Sequence, residues 1–134
     1  ALGIMEKLNA TTVEYSKTRK QFGVTISSFQ ALQHRMVDTF MAFEQTKSLL
    51  VGTLCELENP ENSEATKATM VAALRTMVAK SGKHVGDEAI QIHGGMGITD
   101  ELDVGHYVKR LLMINLLFGS GDFFQDQFNQ LAYA

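Results

Sequence analysis

The chain has 134 residues, of which 45% are hydrophobic and 20% charged, and its net charge is −3. That is enough chain for one domain with a real core, and the mix is that of an ordinary globular protein. Its 12 Lys and Arg are scattered among 15 acids, which argues against a nucleic-acid surface; no apolar run is long enough to span a membrane; and the single cysteine excludes an intrachain disulfide.

Leu2, Met5, Leu8, Thr12 and Tyr15 recur at helical spacing and predict a first helix to about Lys20. Phe22-Gly23-Val24-Thr25-Ile26 breaks it. Ser27 or Ser28 is placed to N-cap a second helix. Its face is marked by Phe29, Leu32, Met36, Phe40, Phe43, Leu50 and Leu54, and Asn59-Pro60-Glu61-Asn62 ends it. Cys55 lies in this stretch among Leu54, Glu56 and Leu57, and is expected as a core or half-buried thiol rather than a nucleophile. Asn62 or Ser63 starts a third helix with the stripe Val71, Leu74, Val78, Ser81, Val85, Ala89 and Ile92. Ala72, Ala73, Ala79 and Ala89 permit close helix packing there. Thr99 is expected to cap a fourth helix, with Asp100 and Glu101 favourable to its dipole. That helix holds Tyr107, Val108, Leu111, Leu112 and Ile114 to Phe118. Gly119 and Gly121 interrupt it, and Asp122 with Gln125 reads as a capping pair for a last helix through Phe124, Phe128 and Leu131. No stretch alternates like a strand. The expected fold is all-α, an antiparallel four-helix bundle with a short extra C-terminal helix, in one domain over residues 1–134. The chain starts in mid-pattern without an initiator Met, so it is expected to be a piece of a longer protein. One cysteine fits a reducing compartment, and the expected location is the cytoplasm.

Two segments carry candidate chemistry. Gln91-Ile92-His93-Gly94-Gly95-Met96-Gly97-Ile98-Thr99 places three glycines within four positions at the end of a helical pattern. Glycine permits positive φ and close approach to the backbone. Such a turn suits an anionic ligand such as a phosphate; it equally serves as a helix C-cap followed by a tight turn. The second segment is Arg19-Lys20-Gln21-Phe22-Gly23, with Gln30 eleven positions after Arg19. A guanidinium there can clamp a pyrophosphate, or simply favour the dipole at a helix C-terminus. His34, His84, His93 and His106 include no i, i+4 pair and are expected as separate surface or half-buried residues, with no metal site. Neither glycine cluster follows a strand, which argues against a Rossmann fold.

Taken together, Tyr15-Ser16-Lys17-Thr18-Arg19-Lys20-Gln21-Phe22-Gly23, Ser28-Phe29-Gln30, Glu88 to Thr99, and Lys109-Arg110 resemble the C-terminal helical domain of the acyl-CoA dehydrogenases, in order and in spacing, over nearly the whole chain. Ser28 to Asp38, Thr99-Asp100-Glu101-Leu102, Val104-Gly105-His106-Tyr107 and Leu117-Phe118-Gly119 are most similar to the pimeloyl-CoA dehydrogenase small-subunit type. The resemblance implies FAD and α,β-dehydrogenation of an acyl-CoA thioester, by a subunit whose N-terminal helical and middle β domains precede this bundle. It implies that Arg19 contacts the flavin pyrophosphate, with Phe22 in the same contact segment, and that Gln30 hydrogen-bonds FAD. It also implies that Gln91, Ile92, His93, Gly94 and Gly95, matching a Gln-x-x-Gly-Gly stretch, hold the adenine-nucleotide part. These contacts are commonly made across a subunit interface, so a homo- or hetero-oligomer, a dimer or tetramer, is expected.

One position departs from the family. In many members the catalytic glutamate follows an aromatic residue shortly after the arginine that matches Arg110. Here that place is Gly119, directly after Phe118, and glycine cannot abstract a proton. The nearest later acid is Asp122, which the capping reading already explains. Some members draw the base from an earlier helix, at a place that would precede Ala1. Two functions follow: the C-terminal domain of a catalytic flavin-dependent dehydrogenase, and a non-catalytic partner subunit of the same fold. A plain helical interaction domain is a third reading, which four motifs in register disfavour.

Overall fold

Pro60 is the only proline, and the two longest helices lie on either side of it. In the computed structural model, which describes residues 1–133, α1 spans Leu2–Thr18, α2 Gln30–Glu58, α3 Glu64–His93, α4 Val104–Leu116 and α5 Gly121–Ala132. A two-stranded hairpin, β1 Lys20–Gln21 with β2 Val24–Thr25, and a 3-10 turn at Ile26–Ser28 join α1 to α2. A second 3-10 turn, Gly94–Ile98, follows α3. The expected all-α bundle with an added C-terminal helix is what forms. At 30 residues, α3 is about 45 Å long at 1.5 Å per residue. It is the central helix and packs against each of the other four.

The core is built from Met5 and Leu8 of α1, Phe43 of α2, Val85 and Ala89 of α3, and Val104, Val108 and Leu111 of α4. Small residues on α3 let α4 approach. A Cβ on Gly86 would stand 3.4 Å from Val108 Cγ2, and one on Gly82 would stand 3.5 Å from Leu111 Cδ2.

On α2 the buried side differs from the expected one. Phe43 is buried, but Phe40 is 55% exposed and Leu54 also faces solvent. The buried seam is Thr39, Phe43, Thr46 and Thr53. Each of the three threonines donates its hydroxyl to a carbonyl one turn back, at 2.9, 2.7 and 2.8 Å. With the hydroxyl satisfied inside its own helix, a threonine presents only a small methyl surface to a neighbouring helix and can be buried. Apolar residues cover more of α2 than one face, and the rotation of the helix selects among them. Cys55 falls on the exposed side with Leu54.

Helix ends follow sequence only in part. Of the two candidates Asn62 and Ser63, Ser63 caps α3, its hydroxyl accepting from Thr66 N–H at 3.1 Å. Neither Ser27 nor Ser28 caps α2. The intervening 3-10 turn uses them locally, Ser28 Oγ donating to Thr25 O at 2.7 Å, and Phe29 takes the N-cap position. Thr99 does not cap α4, because the 3-10 turn takes it: its hydroxyl donates to Met96 O at 3.1 Å, and α4 starts five residues later at Val104. Ser120, not Asp122, caps α5, accepting from Phe123 N–H at 3.2 Å. Gln125 instead accepts from Lys80 Nζ at 2.9 Å.

Candidate functional site

Arg19 is the first residue after α1. Its N–H donates to Tyr15 O and its carbonyl accepts from Ile26 N–H, both at 2.9 Å, so helix end and hairpin hold its backbone from two sides. The hairpin turns through Phe22 and Gly23 with φ of 55° and 82°. Two successive positive φ values make the two-residue turn that matches strand twist. Glycine tolerates this freely, while phenylalanine is strained there. Phe22 is 92% exposed, and its ring meets Phe29 edge-on at 6.2 Å.

The Gly-rich turn follows from α3's C-terminus. Gly94 has φ of 60°, and its N–H donates back to Gln91 O and Ile90 O. Gly97 is buried so tightly that a Cβ would stand 2.9 Å from Ile90 O. Glycine is needed at both positions, for conformation at Gly94 and for space at Gly97.

His93, the last residue of α3, is 3% exposed, against the expectation of a surface or half-buried histidine. It is buried because α1 covers it: Tyr15 stacks on the imidazole at 4.3 Å, and Tyr15 Oη donates to His93 O at 3.4 Å. His93 Nδ1 lies 2.7 Å from Ala89 O, and Nε2 has no partner. Burial pushes the imidazole pKa down, opposed by the Ala89 hydrogen bond. A neutral ring bonded to a carbonyl carries its proton on Nδ1, so Nε2 is a buried acceptor. His34, His84 and His106 are exposed as expected. Among the described residues no cluster of three or more His, Cys, Asp or Glu could hold a metal.

These pieces meet in one groove of about 440 Å³. Arg19, Gln91, Ile92, His93, Gly94 and Gly95 all line it. That volume lies in the usual range for small-molecule sites. The arrangement can neutralise an anion, offer amide donors and bring a ligand close to glycine backbone. Phe22 and Gln30 do not line it: Phe22 is at the hairpin tip, and Gln30, exposed, opens α2. The sequence reading missed Arg35 in the groove wall, and Glu88, which pairs with it from α3. The two are 53 positions apart, so no local pattern links them.

Gly119 lies elsewhere. Its φ is 128°, and a Cβ there would stand 2.6 Å from Phe123 Cδ1. Arg75 Nη2 donates to Leu117 O and, at 3.4 Å, to Gly119 O, which ties the α4–α5 turn to α3. Asp122 is exposed in the first turn of α5 and lines a different hollow, with Thr76, Lys80 and Asn115. The capping role expected for Asp122 belongs to Ser120.

The family model described as "Acyl-CoA dehydrogenase, C-terminal domain" matches residues 1–130. The acyl-CoA dehydrogenase IpdE2 of Mycobacterium tuberculosis is 38% identical over 109 residues, covering 81% of this chain and 31% of that protein. The crystal structure of an FAD-dependent dehydrogenase superposes with a TM-score of 0.90 at 25% identity, covering 98% of this chain and 34% of the other. Butyryl-CoA dehydrogenase from Megasphaera elsdenii superposes with a TM-score of 0.90 at 25% identity, covering 99% and 34%. The chain thus spans about a third of the length of the relatives it matches.

Proposed function

The chain belongs to the acyl-CoA dehydrogenase C-terminal domain family, and from that premise we propose that it is the C-terminal helical part of a longer flavoenzyme subunit and holds the nucleotide end of FAD. One observation carries this reading: Arg19 and Gln91 to Gly95, over 70 positions apart in the chain, line a single groove. The donor set fits the group. A pyrophosphate needs cationic compensation, which Arg19 supplies, and its guanidinium makes no hydrogen bond within the described residues. The buried acceptor His93 Nε2 suits a hydroxyl or amino donor of the nucleotide. Gln91 offers an amide, and Gly94 and Gly95 leave open space beside the backbone. Phe22 and Gln30, outside the groove, would act only toward a flavin shared with another chain, which fits a homo- or hetero-oligomer.

When bound, FAD supplies the hydride acceptor for α,β-dehydrogenation of an acyl-CoA thioester. This chain's part is to fix the cofactor from a rigid bundle while the rest of the subunit shapes the acyl site. We place the protein in the cytoplasm, which suits an exposed thiol; among the described residues no helix is long and apolar enough to cross a membrane.

Arg19→Ala in the full-length protein should weaken FAD retention about 10-fold or more, the worth of a charge-assisted hydrogen bond. Equilibrium dialysis checks it, and unchanged affinity reduces Arg19 to a helix-end residue. A second reading, a non-catalytic partner subunit, is favoured by Gly119. With φ at 128° and Phe123 against it, this position cannot take a glutamate without rebuilding the turn. If no acyl-CoA of any chain length bleaches the flavin of the full-length parent, the partner reading is the right one.

A further inference from the structure

Arg35 has no role in the reading above, yet it lines the same groove as Arg19. It projects from α2 and pairs side-on with Glu88 of α3: Nε donates to Oε2 at 2.5 Å and Nη2 donates to Oε1 at 3.0 Å. A guanidinium has five N–H donors. This pairing uses one on Nε and one on Nη2, and leaves three uncommitted, two of them on Nη1. The side chains are 38% exposed for Arg35 and 18% for Glu88, and only Arg35 lines the groove. Of the pair, therefore, it is Arg35 and not Glu88 that an anion in the groove meets.

We propose that Arg35 is a second phosphate-binding cation of this groove, held by Glu88 and taking a phosphoryl oxygen of an ADP-bearing cofactor alongside Arg19. The proposal rests on the nucleotide-binding reading of the groove. Its physical basis is preorganisation. An unpaired surface arginine must lose rotamer freedom to bind a ligand, whereas one already clamped across two helices has lost it on folding. The charge count agrees: a pyrophosphate diester carries two negative charges, and Arg19 alone offsets one.

The test compares ADP with adenosine as probes of the full-length apoprotein, so that only the phosphates differ. Arg35→Met should cost about 10-fold in ADP affinity and leave adenosine unchanged. Arg35→Lys, which keeps the charge, should recover part of the loss and covers the case in which the methionine variant folds poorly. Glu88→Gln weakens the clamp but leaves the cation in place, and should cost part of the ADP preference, less than Arg35→Met does. Retained ADP preference in Arg35→Met, with loss in Arg19→Ala, overturns the proposal and spares the nucleotide reading. Equal loss of ADP and adenosine affinity in Arg35→Met and Glu88→Gln also overturns it, since the pair is then a helix clamp only. If Arg19→Ala leaves the preference intact as well, the nucleotide reading falls with it. FAD and CoA affinities on the same variants identify the source: loss for FAD alone puts Arg35 on the flavin, and loss for CoA alone puts it on the thioester carrier.

Discussion

His93 is a titratable group folded into the wall of the groove. Burial holds its imidazole below the usual 6.5, against the opposing hydrogen bond to Ala89. Above about pH 6.5 the ring is neutral in both folded and unfolded chains, and it adds nothing to the pH dependence. Below that value the unfolded chain takes up a proton that the folded chain resists, so stability falls with pH until the folded pKa is passed. Urea midpoints at about pH 7.5 and about pH 5.5 should therefore differ, and His93→Phe, which keeps an aromatic ring against Tyr15, should shrink that difference. An equal difference in the variant would place the pH dependence elsewhere. Gly119 is constrained twice, by its φ of 128° and by Phe123 at 2.6 Å from the place of a Cβ. Gly119→Ala should cost about 1–3 kcal/mol in urea unfolding. A neutral result would mean that the α4–α5 turn relaxes freely, and would remove the objection to a glutamate there.

At the scale of elements, the helices divide by how their buried faces are made. α1 buries Met5 and Leu8 completely. Leu8→Ala should cost about 2–5 kcal/mol, the range for emptying a closed core site. Phe40 on α2 is larger but 55% exposed, so Phe40→Ala should cost under about 1 kcal/mol. Chemical denaturation of the two variants side by side checks the contrast, and equal losses would mean that α2 is rotated from the position described. The first helix was legible because its apolar residues repeat on a single face. α2 was not, because its apolar residues surround more than one face, and its buried threonines satisfy their hydroxyls in ways that no hydropathy pattern registers. The caps divide similarly. Ser63 directly precedes its helix, whereas Ser27, Ser28 and Thr99 are taken up by 3-10 turns.

For the whole molecule, the groove is open to one side rather than an enclosed pocket. Phe22 projects from the hairpin tip at 92% exposure, and the chain spans about a third of the relatives it matches. The isolated 134-residue chain should purify colourless, because an open groove gives up most of the burial that retains a large cofactor. Visible absorbance of bound flavin at one equivalent per chain would contradict this. It would also show that the bundle alone supplies the contacts here expected from other domains.

By itself the sequence determined the helical content, the break at Pro60, a cap at Asn62 or Ser63, a glycine turn after His93, and the resemblance that singled out Arg19 and Gln91 to Gly95. All of these are local: they depend on residues within a turn or two of one another, or on motifs whose order survives without knowledge of packing. Only the tertiary structure decided that Arg19 and Gln91 to Gly95 share a groove that Phe22 and Gln30 do not line. It also decided that α1 buries His93 beneath Tyr15, that Arg35 meets Glu88, and that Ser120 relieves Asp122 of its expected cap. The Ser120 cap is a local contact with Phe123 three positions on, but each of the others depends on the rotation and docking of helices about their axes. That rotation is set by the summed packing of the bundle, in which small residues such as Gly82 and Gly86 determine how closely α4 can approach, and no single stretch of chain encodes it.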